Sequence, residues 1–180
     1  MPLTLLLGGA GSGKSRLAVR VAADWGGPVV VVATAEGRDE EMAERIRRHR
    51  ELRPLEWATV EEPLDLEGAL SSIPEGALAL VDCLTLWVSN LMEQDVSDRD
   101  IEDRARAAVL AASMTARTVA VTNEVGSGVV PTNALARRYR DLLGRVNAIW
   151  AEAADQAALV VAGRVLPLGR PEAVSGLEDG

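Results

Sequence analysis

Near its start the chain reads Gly8-Gly9-Ala10-Gly11-Ser12-Gly13-Lys14-Ser15. This stretch fits the pattern G-x-x-x-x-G-K-[ST], in which glycines let backbone N–H groups surround phosphate oxygens. The apolar run 3–7 before it predicts a buried strand, and residues 16–23 after it predict a helix. A helix N-terminus that follows such a loop favours anions. We therefore expect a loop that binds the phosphates of a nucleoside triphosphate, a P-loop.

The last two residues of this loop have side chains suited to phosphate chemistry. Lys14 is expected to reach the β- and γ-phosphates, and the Ser15 hydroxyl to bind Mg²⁺. Lys14 is also the only lysine among 19 basic residues. A compact ammonium fits a crowded phosphate site better than a planar guanidinium does. The choice of lysine here indicates a phosphate contact and not a general preference for that residue.

Composition limits the class of protein. A length of 180 residues, 48% of them apolar, predicts one domain spanning 1–180, with a polar tail from about residue 170. The net charge of −8 argues against a protein that coats nucleic acid. No apolar run reaches the length of a membrane helix, so no membrane span is expected. Cys83 is the only cysteine, which excludes an internal disulfide and fits a reducing cytoplasm.

Apolar runs alternate with helical patterns along the whole chain. This alternation predicts an α/β fold with a mostly parallel sheet covered by helices on both faces. Ligands in such folds bind at the carboxyl ends of the strands, so Thr34, Asp82 and Glu124 should converge near the P-loop. The expected strands are 3–7, 28–33, 57–60, 77–82, 118–122, 157–162 and 165–168. The expected helices are 16–23, 39–52, 64–72, 83–92, 100–115 and 131–154.

The strand predicted over 77–82 ends in a carboxylate, Asp82. A buried strand that ends in an acidic residue has the form of a Walker B segment, whose acid helps to hold Mg²⁺ in P-loop enzymes. Together with the P-loop, Asp82 is therefore a second candidate metal ligand beside Ser15.

His49 is the only histidine of the chain. Met42, Ile46 and His49 lie four and three residues apart, so they share the apolar face of the predicted helix. Two interpretations stay open from this helix alone. The histidine is either a nucleophile among cations that neutralise nucleotide phosphates, or a half-buried packing residue beside a solvated, salt-bridged face. The surrounding arginines are Arg45, Arg47, Arg48, Arg50 and Arg53.

Several further segments are more specific than the P-loop. With them, nearly the whole chain resembles the bifunctional adenosylcobinamide kinase/adenosylcobinamide-phosphate guanylyltransferase family of cobalamin biosynthesis. The segments that carry this resemblance are Ala33-Thr34-Ala35, Arg45-Ile46-x-x-His49-Arg50-x-x-Arg53-Pro54, Val81-Asp82-Cys83-Leu84-Thr85-Leu86-Trp87, Thr122-Asn123-Glu124-Val125-Gly126 and Arg138-Tyr139-Arg140-Asp141.

The resemblance implies a RecA-like P-loop NTPase fold and two activities. A kinase step would phosphorylate the aminopropanol hydroxyl of adenosylcobinamide from ATP or GTP. In the second step GMP would pass from GTP through a guanylyl-histidine, here His49, to give adenosylcobinamide-GDP. Family members are oligomers, typically homotrimers. The resemblance places the nucleotide contacts at Gly8, Gly9, Ala10, Gly11, Ser12, Gly13, Lys14, Ser15, Ala33, Thr34, Ala35, Arg50, Glu51, Leu52, Arg53, Glu61 and Asp82.

The chain departs from the family pattern at three positions. Gly11 stands where the family often has arginine, Ala148 follows Asn147 where glutamine is usual, and Asp82 occupies a position that can be glutamate. None of these changes removes an essential chemical group. The alternatives are a P-loop small-molecule kinase without guanylyl transfer and a RecA-like nucleotide-dependent switch. Glu124 and Asp82 are both candidates for the base of the kinase step.

Overall fold

The computed structural model describes residues 3–115 and 117–170, and seven strands in these ranges form one sheet. The strands are β1 (Leu3–Gly8), β2 (Val29–Ala33), β3 (Ala58–Glu61), β4 (Leu78–Asp82), β5 (Arg117–Asn123), β6 (Gln156–Val161) and β7 (Arg164–Leu168). The helices are α1 (Lys14–Ala23), α2 (Glu40–Glu51), α3 (Leu66–Ser71), α4 (Leu84–Glu93), α5 (Asp98–Met114) and α6 (Ala134–Ala153).

The strand order in the sheet is β3-β2-β4-β5-β1-β6-β7. All neighbours are parallel except β6 and β7, which pair as an antiparallel hairpin. Strand β5 therefore lies between β1, which leads into the P-loop, and β4, which ends at Asp82. The carboxyl ends of β1, β4 and β5 meet at one edge of the sheet, as the alternating pattern predicted.

Alternating side chains of each strand enter two separate apolar cores. From β1, Leu3, Leu5 and Leu7 pack with α3, α4, α5 and α6, whereas Leu6 packs with α1 on the opposite face. Successive strand residues point to opposite faces, so a strand buried on both sides carries an unbroken apolar run. The predicted α/β class with helices on both faces is confirmed.

Each predicted strand and helix occurs, with ends that differ by at most three residues. The largest difference is at α6, which begins at Ala134 and not at residue 131. Asn133 sets this start, because its side chain accepts hydrogen bonds from the backbone N–H groups of Leu135 and Ala136 at 2.8 and 3.2 Å. The polar tail expected from about residue 170 lies almost entirely outside the described residues.

A buried polar network fixes the end of β5 against α4 and α6. The Thr122 hydroxyl donates to Asn147 Oδ1 at 2.7 Å, and Asn147 Nδ2 donates to the Asn123 carbonyl at 3.0 Å. The Asn123 N–H donates to the Thr85 hydroxyl at 2.7 Å. Because buried polar groups are costly to leave unpaired, this network holds the strand end beside the P-loop in one position.

Among the described helices, none combines the length and the apolar character that a membrane crossing requires.

Helix α5 offers a matched test of this packing. Ile101 is fully buried and Leu110 is 67% exposed on the same helix. We expect Ile101→Ala to lower the free energy of unfolding by about 2–5 kcal/mol, since it leaves a cavity in the core. Leu110→Ala should change it by less than about 0.5 kcal/mol. Urea denaturation of the two variants measures both values, and equal losses would contradict the described face of α5.

Candidate active site

The P-loop joins β1 to α1 and has the backbone that its glycines allow. Gly13, which precedes α1, has φ 96°, a conformation that side chains with a Cβ rarely adopt. A Cβ on Gly8 would lie 2.5 Å from the Val160 carbonyl oxygen, so only glycine fits between β1 and β6 there. Lys14 is buried, and its Nζ donates to the Gly9 carbonyl at 2.9 Å across the loop. The lysine is thus folded over the loop in which phosphates are expected.

The turn between β6 and β7 supports the P-loop from the side. The Gly163 N–H donates to the Ser12 carbonyl at 2.8 Å. The Ser12 hydroxyl is buried and, within the described part of the chain, has no hydrogen-bond partner. Buried polar groups in proteins are nearly always paired, so a buried hydroxyl in a phosphate loop fits a phosphate oxygen as its partner.

A cavity of about 540 Å³ opens beside the P-loop, below α2 and at the carboxyl ends of β2, β3 and β4. No residue of α2 is buried, so this helix covers the cavity and does not pack into either core. Of the described residues that line the cavity, none belongs to the P-loop. The lining is formed by Ala33, Ala35, Glu36, Gly37, Met42, Ala43, Arg45, Ile46, His49, Arg50, Arg53, Glu61, Pro63, Asp82, Cys83 and Leu86.

Three side chains meet at the floor of the cavity. His49 Nδ1 lies 3.1 Å from Asp82 Oδ2, and Arg53 Nη2 donates to the same oxygen at 2.7 Å. The side chains of Arg53 and Asp82 are 8% and 12% exposed, whereas that of His49 is 31% exposed. The carboxylate is therefore enclosed, and the imidazole reaches the open part of the cavity.

Charge favours the ionised form of this carboxyl group. Burial alone would raise the pKa of Asp82, but the hydrogen bond from His49, the charge that this ring carries when it is protonated, and the Arg53 guanidinium outweigh burial and lower the pKa. Both contacts fall on Oδ2, and Oδ1 takes part in neither. Asp82 is therefore an ionised carboxylate whose Oδ2 atom is hydrogen-bonded to His49 of α2 and to Arg53, which follows this helix.

Lys14 and the cavity influence each other through their charges. Burial lowers the pKa of Lys14, the Arg45 guanidinium lowers it further, and the Asp82 carboxylate opposes the shift. In the sheet, β5 lies between β1, which leads into the P-loop, and β4, which ends at the cavity. The P-loop and the cavity are therefore adjacent along one edge of the sheet.

The five arginines near His49 fall into two groups. Arg45, Arg50 and Arg53 line the cavity, and Arg50 forms an ion pair with Glu61 at the end of β3. Arg47 and Arg48 pair with Glu44 on the outer side of α2. The helix therefore has both a cationic face toward the cavity and a solvated, salt-bridged face. Each sequence-based interpretation of these arginines describes one side of the helix.

Some of the expected nucleotide contacts line the cavity, and others lie outside it. Ala33, Ala35, Arg50, Arg53, Glu61 and Asp82 line the cavity together with His49. Glu51 pairs with Arg47 and Leu52 is 45% exposed; neither lines the cavity. Their contacts with a nucleotide stay predictions.

Thr34 has a structural place. It is fully buried, and its hydroxyl donates to the Cys83 carbonyl at 2.7 Å and accepts from the Cys83 N–H at 2.9 Å. Its N–H donates to the Asp82 carbonyl, and its own carbonyl accepts from Asn90 Nδ2. All hydrogen-bonding groups of Thr34 are thus engaged in holding the end of β4. A direct nucleotide contact by Thr34 stays a prediction.

Glu124 lies beside the P-loop but outside the cavity lining. Its N–H donates to the Gly8 carbonyl at 3.2 Å, and its Oε1 accepts from the Gly126 N–H at 2.6 Å. Thr34, Asp82 and Glu124 were expected to converge near the P-loop. In the structure Thr34 contacts Asp82 at the cavity, whereas Glu124 contacts the P-loop.

Sequence reasoning missed part of the cavity wall. Pro63 and Leu86 form it without carrying any motif chemistry, and Glu36 follows β2. All three lie within four residues of the carboxyl end of a strand. Ligands bind at the carboxyl ends of strands in parallel sheets, so the place of these residues just after predicted strands could have identified them as part of the site.

Ser15 and Asp82 are suited to Mg²⁺ by the chemistry of their donors. Hydroxyl and carboxylate oxygens are hard ligands, which Mg²⁺ prefers. In residues 3–115 and 117–170, no group of three or more His, Cys, Asp or Glu side chains could hold a metal by itself. Mg²⁺ in nucleotide sites is commonly held by one or two protein oxygens together with phosphates and water. The residues therefore fit Mg²⁺ as a partner of a bound nucleotide.

Comparison with known proteins adds independent information. Residues 4–168 match the protein family described as cobinamide kinase / cobinamide phosphate guanyltransferase. The chain is 46% identical to the bifunctional adenosylcobalamin biosynthesis protein CobP of Pseudomonas aeruginosa, over 93% of this chain and 98% of that protein. It is 40% identical to the bifunctional adenosylcobalamin biosynthesis protein CobU of Salmonella typhimurium, over 89% of this chain and 96% of that protein. The CobU protein of Escherichia coli is 39% identical over the same shares.

The cysteine in the cavity wall gives a test of the site as described. Burial, with the adjacent Asp82 charge, raises the pKa of the Cys83 thiol to about 11. At about pH 8 it should hold about 100-fold less thiolate than an ordinary cysteine, and only the thiolate is nucleophilic. We expect iodoacetamide to alkylate the native protein very slowly and the urea-unfolded protein rapidly, as mass spectrometry would show. Equal rates in the two states would contradict the half-buried position of Cys83 in the cavity wall.

Proposed function

The chain belongs to the cobinamide kinase / cobinamide phosphate guanyltransferase family, and we propose that it catalyses two successive transfers onto adenosylcobinamide. The first adds a phosphoryl group to the aminopropanol hydroxyl. The second adds GMP from GTP to that phosphate and gives adenosylcobinamide-GDP, through a guanylyl-histidine. The observation that carries this proposal is His49, whose ring contacts Asp82 and faces a cavity beside a P-loop.

The P-loop supports the kinase step. Phosphoryl transfer needs positioning and charge neutralisation more than covalent help from the protein. Backbone N–H groups at the start of α1 and the Lys14 ammonium supply both. The proposed phosphoryl donor is ATP or GTP. Glu124, held beside the loop through Gly8, is a candidate base for the acceptor hydroxyl.

Mg²⁺ is the expected cofactor of both steps. Ser15 and Asp82 are the residues that would hold it, by the donor chemistry described above. When bound, Mg²⁺ neutralises phosphate charge and helps to orient the triphosphate.

The cavity supports the guanylyl step. In our proposal His49 attacks the α-phosphorus of GTP, and the bond to the β-phosphate breaks to release pyrophosphate. The guanylyl group then passes to the phosphate oxygen of adenosylcobinamide phosphate. Splitting one transfer into two is the advantage of covalent catalysis. Arg45 and Arg50 line the same cavity and are suited to the phosphate charge.

We propose further that the enzyme acts in the cytoplasm as a homo-oligomer, and the family resemblance supports a homotrimer. The single cysteine, Cys83, excludes an internal disulfide and supports a reducing compartment. The net charge of −8 supports small-molecule substrates and no nucleic acid as partner.

Radiolabelled GTP separates guanylyl transfer from a kinase-only enzyme. Incubation with GTP labelled at the α-phosphorus should place acid-labile label on the protein, because a phosphorus–nitrogen bond to the ring forms. His49→Ala should abolish the label while kinase activity persists. Arg48→Ala, on the outer side of the same helix, should label like the wild type. An unlabelled wild type would refute guanylyl transfer and leave a P-loop kinase or a nucleotide switch.

Lys14 should be needed for both transfers, because one P-loop supplies the phosphate contacts of each. Lys14→Met is expected to lower the rate of phosphorylation and of GMP transfer by about 10²–10³-fold each, the usual effect of losing one electrostatic donor. Arg16→Met, two residues further along α1 and exposed, is the control and should keep both rates. If only one rate fell, the two reactions would require separate phosphate sites.

A further inference from the structure

We infer that Asp82 positions His49 for the guanylyl step, by holding the hydrogen on Nδ1 so that Nε2 is the nitrogen that receives the guanylyl group. The inference rests on the proposed transfer through His49 and adds the identity of the reacting atom and of the residue that orients it. Asp82 acts here through the histidine and is therefore a positioning residue.

The sheet holds Asp82 in place independently of α2. Asp82 is the last residue of β4, in register with Ala33 of β2 and Val121 of β5. Its carbonyl accepts from the Thr34 N–H at 3.1 Å. Its Oδ2 also accepts from the buried Arg53 guanidinium. The carboxylate therefore has a fixed position and direction before any substrate binds.

Helix α2 cannot orient the imidazole by its own packing. None of its residues is buried, so no close-packed neighbours restrict the His49 side chain as they would in a core. The contact between Nδ1 and Asp82 Oδ2 at 3.1 Å is the hydrogen bond that the ring makes to the sheet. The orientation of the ring thus depends on this contact.

The contact also determines which nitrogen carries the hydrogen. An ionised carboxylate accepts hydrogen bonds and cannot donate them. The Arg53 guanidinium, which stays protonated in proteins, donates to the same Oδ2 atom and holds the carboxyl group in its ionised form. Nδ1 must then be the protonated nitrogen of the neutral ring, and Nε2 keeps its lone pair. A nucleophilic imidazole requires this arrangement at the reacting nitrogen.

In the guanylylation of His49, the bond that forms is matched by one that breaks. The Nε2 lone pair forms the bond to the α-phosphorus, and the bond from that phosphorus to the bridging oxygen of the β-phosphate breaks. Pyrophosphate leaves with the electron pair. The ring keeps the hydrogen on Nδ1 and becomes positively charged, and the Asp82 carboxylate faces that charge. The same geometry therefore orients the nucleophile and stabilises the intermediate.

The carboxylate that faces His49 is not the only charge near the ring. Arg45, Arg50 and Arg53 line the same cavity, and Glu61 pairs with Arg50 at its rim. Of these, Arg53 contacts Asp82 itself. Asp82 is the acidic group in hydrogen-bonding contact with the imidazole.

The single histidine makes the inference directly measurable. Protein grown with ¹⁵N-histidine contains one labelled ring, so its two nitrogens can be assigned by NMR without ambiguity. At mildly alkaline pH and without nucleotide, we expect the hydrogen on Nδ1 in the wild type. After GTP is added, coupling from ³¹P should appear at Nε2. A hydrogen on Nε2 before reaction, or phosphorus on Nδ1 after it, would overturn the inference.

Variants separate orientation from anchoring of the helix. Asp82→Ala should leave the ring hydrogen without a fixed position, which NMR detects in the protein without Mg²⁺ and nucleotide and which the loss of a metal ligand would not cause. Guanylylation should also slow at least about 10-fold. Asp39→Ala removes the side chain that caps the N-terminus of α2 at 2.7 Å from the Met42 N–H, and it should keep both the Nδ1 hydrogen and the labelling rate. Equal loss in the two variants would show that Asp82 merely anchors the helix.

Guanylyl transfer to His49 and the positioning role of Asp82 are refuted by different results. If GTP placed no phosphorus on the ring, the proposed transfer would be wrong, whereas the position of the hydrogen in the nucleotide-free protein would still decide whether Asp82 orients His49. If phosphorus appeared on Nδ1, guanylyl transfer would stand and the positioning role would be refuted. The wild-type spectrum decides the latter even if Asp82→Ala does not fold.

Discussion

The contact of Asp82 with His49 and Arg53 connects a rigid sheet to a helix that has no buried residue of its own. An enclosed carboxylate that lost both hydrogen-bond donors would be an uncompensated buried charge, which is strongly unfavourable. The end of β4 and the segment from His49 to Arg53 are therefore interdependent. The floor of the cavity follows from this polar contact and not from apolar packing, because both apolar cores lie on the faces of the sheet.

The order of the strands brings the two parts of the proposed site together. With β5 between β1 and β4, the P-loop and Asp82 stand at neighbouring positions along one edge of the sheet. The buried contacts of Thr122 and Asn123 fix the strand end between them. In the proposed function, a triphosphate held at the P-loop extends toward the cavity that contains the proposed nucleophile, His49. A chain with the P-loop alone would have the first part of this site without the second.

Much of the fold followed from local patterns. Apolar runs and turn residues identified each strand, and the glycine pattern located the phosphate loop. The partners of functional side chains did not follow, because they depend on strand order. Nothing in the sequence near Asp82 shows that His49, 33 residues away, lies beside it.

Thr34 shows the reverse case: it stands in a nucleotide-contact motif, yet its hydrogen-bonding groups are all engaged within the protein. The arginines near His49 were visible as a group, but only the structure separates those that line the cavity from those that face solvent.

The two arginines that follow His49 differ in how readily a phosphate can recruit them. Arg50 is 55% exposed and pairs with Glu61, which is 62% exposed. Such an exposed pair contributes at most about 1 kcal/mol, so exchanging the carboxylate for a phosphate costs little. The Arg53 side chain is only 8% exposed and pairs with the carboxylate that also contacts His49. Separating a buried pair costs about 3–5 kcal/mol. Under the proposed function, substrate charge is therefore best met by Arg50 at the rim, while Arg53 keeps its contact with Asp82. The proposal thus assigns Arg50 to binding the nucleotide and Arg53 to maintaining the geometry of the proposed nucleophile.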